Sequence, residues 1–105
     1  SPKHDIYNNF TKPIGYSLTK SSIIAMTKYL ATYYAPDYRF NAVVLGGVYD
    51  KRFDNSFIMN YNNHTPFKRM MNVEEVTGIF KYLIGEDSSY TTGGVFVVDG
   101  GWTAW

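Results

Sequence analysis

Between Pro13 and Tyr34 apolar side chains return every three or four positions, with Ile14, Leu18, Ala25, Tyr29 and Tyr33 on one stripe and Ile23, Leu30 and Tyr34 widening it onto a second face. Proline is tolerated in a first helical turn, and Ala25, Met26, Leu30 and Ala31 favour helix, whereas Pro36 cannot continue one. The spacing therefore predicts one long helix over 13–34, buried on two sides. Residues 1–12 are polar and turn-rich and read as a loop.

The period then changes. Arg39-Phe40-Asn41-Ala42-Val43-Val44-Leu45 is a short, mostly apolar run closed by Gly46-Gly47, the pattern of a fully buried parallel strand. Val95-Phe96-Val97-Val98, between Gly93-Gly94 and Asp99-Gly100-Gly101, reads as a second strand. A helix between them starts at a capping-box signal, Asn72 with Glu75 three positions on, and stops at Gly85. Strand, helix, strand is a βαβ unit. Two parallel strands leave faces and edges uncovered, so further strands are expected from before Ser1 or from another chain. The opening on Ser1 instead of Met agrees with a fragment or a trimmed chain.

The stretch 48–71 is long for a connection within a compact domain and has the character of a lid. Phe53, Phe57 and Tyr61 fall four apart within it and predict a short amphipathic helix. These three side chains either dock that helix or wall a substrate. His64 stands beside them, either facing solvent or touching substrate. Arg69 is expected in a structural ion pair, and Trp102 and Trp105 in the core or a subunit contact.

Composition narrows the function classes. The 105 residues, 45% hydrophobic and 18% charged, are those of one globular domain. A net charge of +1 with scattered Lys and Arg offers no footprint for nucleic acid or an anionic membrane. There is no cysteine, and His4 and His64 lie far apart, so neither a disulfide framework nor a zinc site is expected, and a cytoplasmic setting fits best. The longest apolar runs, Ile23 to Met26 and Ala42 to Val48, fall far short of the roughly 20 residues of a membrane span. Asn9-Phe10-Thr11 and Asn63-His64-Thr65 would be glycan acceptors only in a secreted protein, which nothing else indicates.

The chemistry lies in Tyr16 and Lys20, four apart and so on one helix face, one turn from each other. An unperturbed tyrosine, with a pKa near ~10, is a poor base at neutral pH. A fixed cation nearby favours its phenolate and suits it to exchange a proton with an alcohol. Taken alone, such a pair is as readily a solvated helix face.

The text around the pair is more specific. Tyr16-Ser17-Leu18-Thr19-Lys20-Ser21-Ser22-Ile23, then Arg39-Phe40-Asn41-Ala42-Val43, Gly46-Gly47-Val48, Pro66-Phe67-Lys68-Arg69-Met70, Glu74-Glu75-Val76 and Thr92-Gly93-Gly94 leading to Val97-Val98-Asp99-Gly100-Gly101 stand in an order that resembles the short-chain dehydrogenase/reductase family over nearly the whole chain. The resemblance implies an α/β fold, the C-terminal part of a Rossmann-like doubly wound parallel sheet, running long helix, strand, lid with short helix, helix, strand. It implies an oxidoreductase that moves hydride between NAD or NADP and a small carbonyl or secondary-alcohol substrate. Tyr16 would be the general acid/base, and Lys20 would lower its pKa and hold the nicotinamide ribose. Gly46, Gly47 and Val48 would lie against the nicotinamide. It further implies a homo-oligomer, dimer or tetramer, joined through the long helix and the C-terminus. The loop before Tyr16 and the ending Asp99 to Trp105 are similar to members linked to bacterial surface-sugar or flagellin-glycan biosynthesis.

Departures from the family pattern bear on activity. Leu45-Gly46 replaces the usual Pro-Gly after the first strand, and Met71 and Val73 stand where Gly and Pro are common. No Gly-rich phosphate-binding turn occurs in the 105 residues. The family's carbonyl-polarising serine lies about a dozen residues before the tyrosine, where Lys3 stands here; Ser1 is a poor candidate, so the serine and the helix asparagine are expected upstream. The rival reading is a truncated, non-catalytic remnant that serves as an interaction or structural module.

Overall fold

The computed structural model describes the backbone of residues 14–104, and side chains from Leu18 onward except Thr19. The expected loop over 1–12, with Ser1 and His4, and Trp105 lie outside the described residues. Five longer elements and a short turn follow in the expected order: α1 (Ile14–Tyr33), β1 (Ala42–Leu45), α2 (Asn55–Asn63), α3 (Glu74–Ile84), a 3₁₀ turn (Glu86–Ser88) and β2 (Val95–Val98). The two strands pair in parallel, Ala42 with Val95 through Leu45 with Val98, and α3 lies on the connection between them. No helix among the described residues is long and apolar enough to cross a membrane.

The packed face of α1 is not the one that its large side chains predict. Thr27 and Ala31 are buried, and Ile24 and Lys20 are half-buried, so the inner stripe runs 20, 24, 27, 31. Leu18, Tyr29 and Tyr33 are exposed, Tyr33 at 65%, as are Ile23 and Met26. Burial on two sides is thus corrected to burial of one narrow, small-residue stripe. The reason is a close approach to the turn before β2: a Cβ on Gly93 would meet the Ala31 methyl at 3.4 Å, and Lys28 Nζ reaches the Gly93 carbonyl at 3.1 Å. Small side chains permit that approach; bulky ones would hold the helix off. Thr27 and Thr32 sit mid-helix because each hydroxyl donates to a carbonyl of the preceding turn, Thr27 to Ile23 at 2.7 Å and Thr32 to Tyr29 at 2.9 Å.

The first strand is shorter than the apolar run suggested. Arg39, Phe40 and Asn41 precede β1 as irregular chain because their polar groups serve the neighbouring turn. The Asn41 amide donates to the Thr91 carbonyl at 3.1 Å and accepts from Gly94 N at 3.0 Å, while Phe40 N donates to the Thr92 hydroxyl. Full burial is also corrected: only Ala42 of β1 is buried, and the rest is half-buried, because the described sheet has two strands and α1 covers it in part.

At α3 the cap position is Val73, not Asn72. Half of the capping box forms: the Asn72 backbone N–H donates to the Glu75 carboxylate at 2.9 Å, but no side chain caps the helix in return. Glu74 and Glu75 in the first turn and Lys81 in the last match the helix dipole, and Gly85 closes the helix as expected. Among the described residues buried side chains are few: Ala31, Ala42, Tyr61, Met70 and Met71, with Thr27, Thr65 and Ser88.

Candidate active site

In open α/β sheets, ligands bind beyond the carboxyl ends of the strands. Here those ends are Gly46 after β1 and Asp99 after β2, joined by the bond from Gly46 N to the Val98 carbonyl at 2.9 Å.

The turn 46–48 is held from two sides. Gly47 N donates to the Tyr61 hydroxyl at 2.7 Å. On the other side Met71 N donates to the Gly47 carbonyl, and Tyr49 N to the Met71 carbonyl, both at 2.8 Å. Because a trans peptide is planar with N–H and C=O opposed, these two bonds turn the Val48 N–H and C=O away from Met71, and neither group is bonded to the described residues. A donor and an acceptor are therefore displayed side by side.

Glycine is needed in the turn for a reason that sequence reasoning did not supply. A Cβ on Gly47 would lie 2.7 Å from Tyr61 Cε2, and one on Gly46 would lie 2.9 Å from Asp99 Cα. Close protein packing alone demands both.

The residues of the 48–71 segment divide. Phe53 and Phe57 are exposed, with ring centroids 5.1 Å apart. Tyr61 is instead buried and stacks on Trp102 at 4.9 Å and 20°. One helix can serve both ends because Asp54 caps α2, accepting from Ser56 N at 3.1 Å, and Tyr61 points from its last turn into the strand ends. His64 is the C-cap, half-buried and not fully solvent-facing, with Nδ1 2.6 Å from the Asn60 carbonyl, so Nδ1 carries the proton and donates. Buried Thr65 and the Phe67 N–H then fasten the far end of this segment to the Gly100 carbonyl, at 3.4 and 3.1 Å. The Asp99 carboxylate accepts from Gly101 N, Thr103 N and the Thr103 hydroxyl, which fixes the tail carrying Trp102.

Lys20 lies half-buried on the inner stripe of α1, and helical register puts Tyr16 one turn before it; the Tyr16 side chain is outside the described residues. Arg69 forms the expected ion pair, a two-pronged contact with Glu75 at 2.7 and 2.9 Å. The guanidinium, with the Asn72 N–H, holds the Glu75 carboxyl down at about 2. Arg52 lowers the Asp50 carboxyl below its ordinary value through the side-chain hydrogen bonds between them. Among the described residues no cluster of His, Asp and Glu could hold a metal ion.

A family model described as Enoyl-(Acyl carrier protein) reductase matches residues 6–103. The chain belongs to the short-chain dehydrogenase/reductase family. It is similar to "Post-translational flagellin modification protein A" of Campylobacter coli, 30% identical over 105 residues, which cover 97% of this chain and 41% of the relative. It is also similar to 7alpha-hydroxysteroid dehydrogenase of Paraclostridium sordellii, 35% identical over 95 residues covering 85% of this chain and 36% of that protein. Among solved structures, a short-chain dehydrogenase from Leptospira borgpetersenii with bound NAD+ superposes with a TM-score of 0.77 and 40% identity, over 84% of this chain and 35% of that one. The chain thus spans about two-fifths of the length of the relatives it matches. The parallel pair β1 and β2, with α1 and α3, is part of the Rossmann-like α/β fold of short-chain dehydrogenases.

Proposed function

We propose that this chain belongs to an oxidoreductase that moves hydride between NAD or NADP and a small carbonyl or secondary alcohol, with Tyr16 as general acid/base and Lys20 as its partner. The observation that carries the reading is the Val48 peptide pair, an unbonded donor and acceptor at the carboxyl end of β1, on a sheet whose α1 carries Tyr16 and Lys20. A primary carboxamide has a complementary acceptor and donor, so the Gly46 to Val48 turn fits the nicotinamide end of such a cofactor. When bound, the cofactor supplies or accepts the hydride.

The protein's part is proton transfer and orientation. Tyr16 gives its phenolic proton to the alcohol oxygen as a carbonyl is reduced, or takes one from the alcohol in oxidation. Lys20, four residues on, favours the phenolate and reaches the ribose hydroxyls. The 48–71 segment acts as the substrate lid of a single dinucleotide-binding domain that includes residues 1–105, with Phe53, Phe57 and His64 nearest the substrate side. The resemblance to members linked to flagellin-glycan biosynthesis, with the similarity to a flagellin modification protein of Campylobacter coli, directs the substrate search first to ketones and alcohols of glycan precursors.

In the full-length protein, Tyr16→Phe should lower kcat for NAD(P)H-linked reduction by roughly 10²- to 10⁴-fold while leaving dinucleotide binding unchanged. Retained turnover would remove Tyr16 from the role. The exposed apolar residues Leu18, Met26, Tyr29 and Tyr33 on α1 favour a second reading, a module that covers this face with another subunit. A full-length protein that self-associates but binds neither NADH nor NADPH would leave only that reading.

A further inference from the structure

Tyr61 joins three parts of the molecule that are far apart in sequence. It belongs to the last turn of α2, its ring stacks on Trp102 beyond β2, and its hydroxyl accepts from Gly47 N just after β1. The peptides around Val48 are oriented by Met71, but the peptide before them, between Gly46 and Gly47, has Tyr61 as the partner of its N–H. Glycine has the widest backbone freedom of any residue, so two in succession form a swivel unless something outside the turn fixes them. Close packing limits Gly46 and Gly47 on one side, and the surface that limits Gly47 is again the Tyr61 ring, 2.7 Å from a Cβ placed there.

We infer that Tyr61 is a positioning residue: its hydroxyl sets the direction of the Gly46 to Val48 turn, so that the lid helix and the wall facing the nicotinamide move as one body. The inference rests on the proposed dinucleotide function and adds to it a residue that acts through Gly47 and not by touching substrate. Loss of the hydroxyl leaves the stack on Trp102 and takes the acceptor away from the Gly47 N–H. The Met71 bonds still hold the Val48 N–H and C=O side by side, but the peptide before them is free to turn, so the pair loses its fixed offset from the strand end and from a carboxamide seated there. Binding of the nicotinamide end is weakened, and binding of the adenosine diphosphate end is not.

That split gives the test. Calorimetric titration of the full-length wild-type protein and of Tyr61→Phe would use NAD+ or NADP+, whichever the wild type binds more tightly, and the matching fragment without nicotinamide, ADP-ribose or 2′-phospho-ADP-ribose. We expect dinucleotide affinity to fall roughly three- to tenfold in Tyr61→Phe, as for one lost hydrogen bond, with fragment affinity unchanged. An equal loss for both ligands, or no loss for either, would overturn the inference while leaving the dinucleotide function standing. A wild-type protein that binds neither ligand would overturn the dinucleotide function itself. Should Tyr61→Phe fail to fold, Trp102→Phe, which loosens the stack but keeps the hydroxyl, should give a smaller loss confined to the dinucleotide; an equal or absent loss there overturns the inference in the same way.

Discussion

Arg39 donates through Nη1 to both the backbone carbonyl and the hydroxyl of Ser88, at 2.8 and 2.9 Å. The same guanidinium reaches the carbonyls of Thr91 and Gly85, at 3.3 and 3.4 Å, so one planar fork gathers the whole turn between α3 and β2 around the entry to β1. The buried Ser88 hydroxyl sits within reach of the Leu83 and Gly85 carbonyls as well. Arg39→Met removes the charged donor that these acceptors share, while each carbonyl keeps a neutral one, and should lower stability by about 1 to 3 kcal/mol in urea denaturation. Arg39→Lys, a point charge in place of a fork, should recover less than half of that; full recovery would show that charge alone matters.

Glu75 supplies a pH dependence. Its carboxyl is depressed to about 2 in the folded protein, from 4.5 for an unperturbed side chain, by Arg69 first and the Asn72 N–H second. A group whose folded pKa is lowered adds stability that is full above its unfolded pKa and is lost as pH falls toward the folded one. Thermal midpoints recorded from pH 5 to pH 2 should therefore fall more steeply for wild type than for Glu75→Gln. Parallel curves would show that the ion pair, exposed on both sides, contributes nothing measurable.

Gly78 sits in the middle of α3, and a Cβ added there meets nothing within 4 Å. Gly78→Ala removes backbone freedom from the unfolded chain at no steric cost and should stabilise the protein by about 0.5 to 1 kcal/mol in urea denaturation. A loss of stability would mean that another surface packs against this helix at Gly78.

The strand-end glycines should behave in the opposite way. In Gly46→Ala the new methyl meets Asp99 backbone at 2.9 Å, and in Gly47→Ala it meets the Tyr61 ring at 2.7 Å. Each should cost about 1 to 3 kcal/mol by thermal unfolding, with Gly46→Ala the worse because backbone yields less than a side chain. Equal tolerance of both would contradict the close packing around the turn.

How far the fold was legible follows from the kind of signal each element carries. Residues Val95 to Val98 were readable as a strand because glycines bracket a β-branched run, and the end of α3 was readable from Gly85. The inner face of α1 was not. Side-chain size pointed to Leu18, Tyr29 and Tyr33, whereas the close approach of the Gly93 turn selected Thr27 and Ala31. Arg39 was invisible as a hub because its partners are mostly backbone carbonyls 46 to 52 positions away, and carbonyls have no sequence signature. The candidate site was named from residue types, Tyr16, Lys20 and the glycine turn, and of these the glycine turn stands at the carboxyl end of β1. What the sequence could not separate was Tyr61 from Phe53 and Phe57, since four-residue spacing puts all three on one helix face and says nothing about which end meets the strands.

The parallel pairing of β1 with β2 also governs how the chain assembles. Asn41 and Gly94, bonded at the start of the sheet, are 53 positions apart. Closing a loop of that size costs about 3 to 4 kcal/mol of chain entropy, before any strand hydrogen bond forms. A bond within α3 spans only four residues, so that helix can nucleate locally, while the sheet must wait for both ends of the loop to meet. Arg39 and Asn41 stand where that meeting occurs. Their bonds to the turn before β2 form the seam at which one strand is registered against the other, away from the residues that would handle hydride and proton.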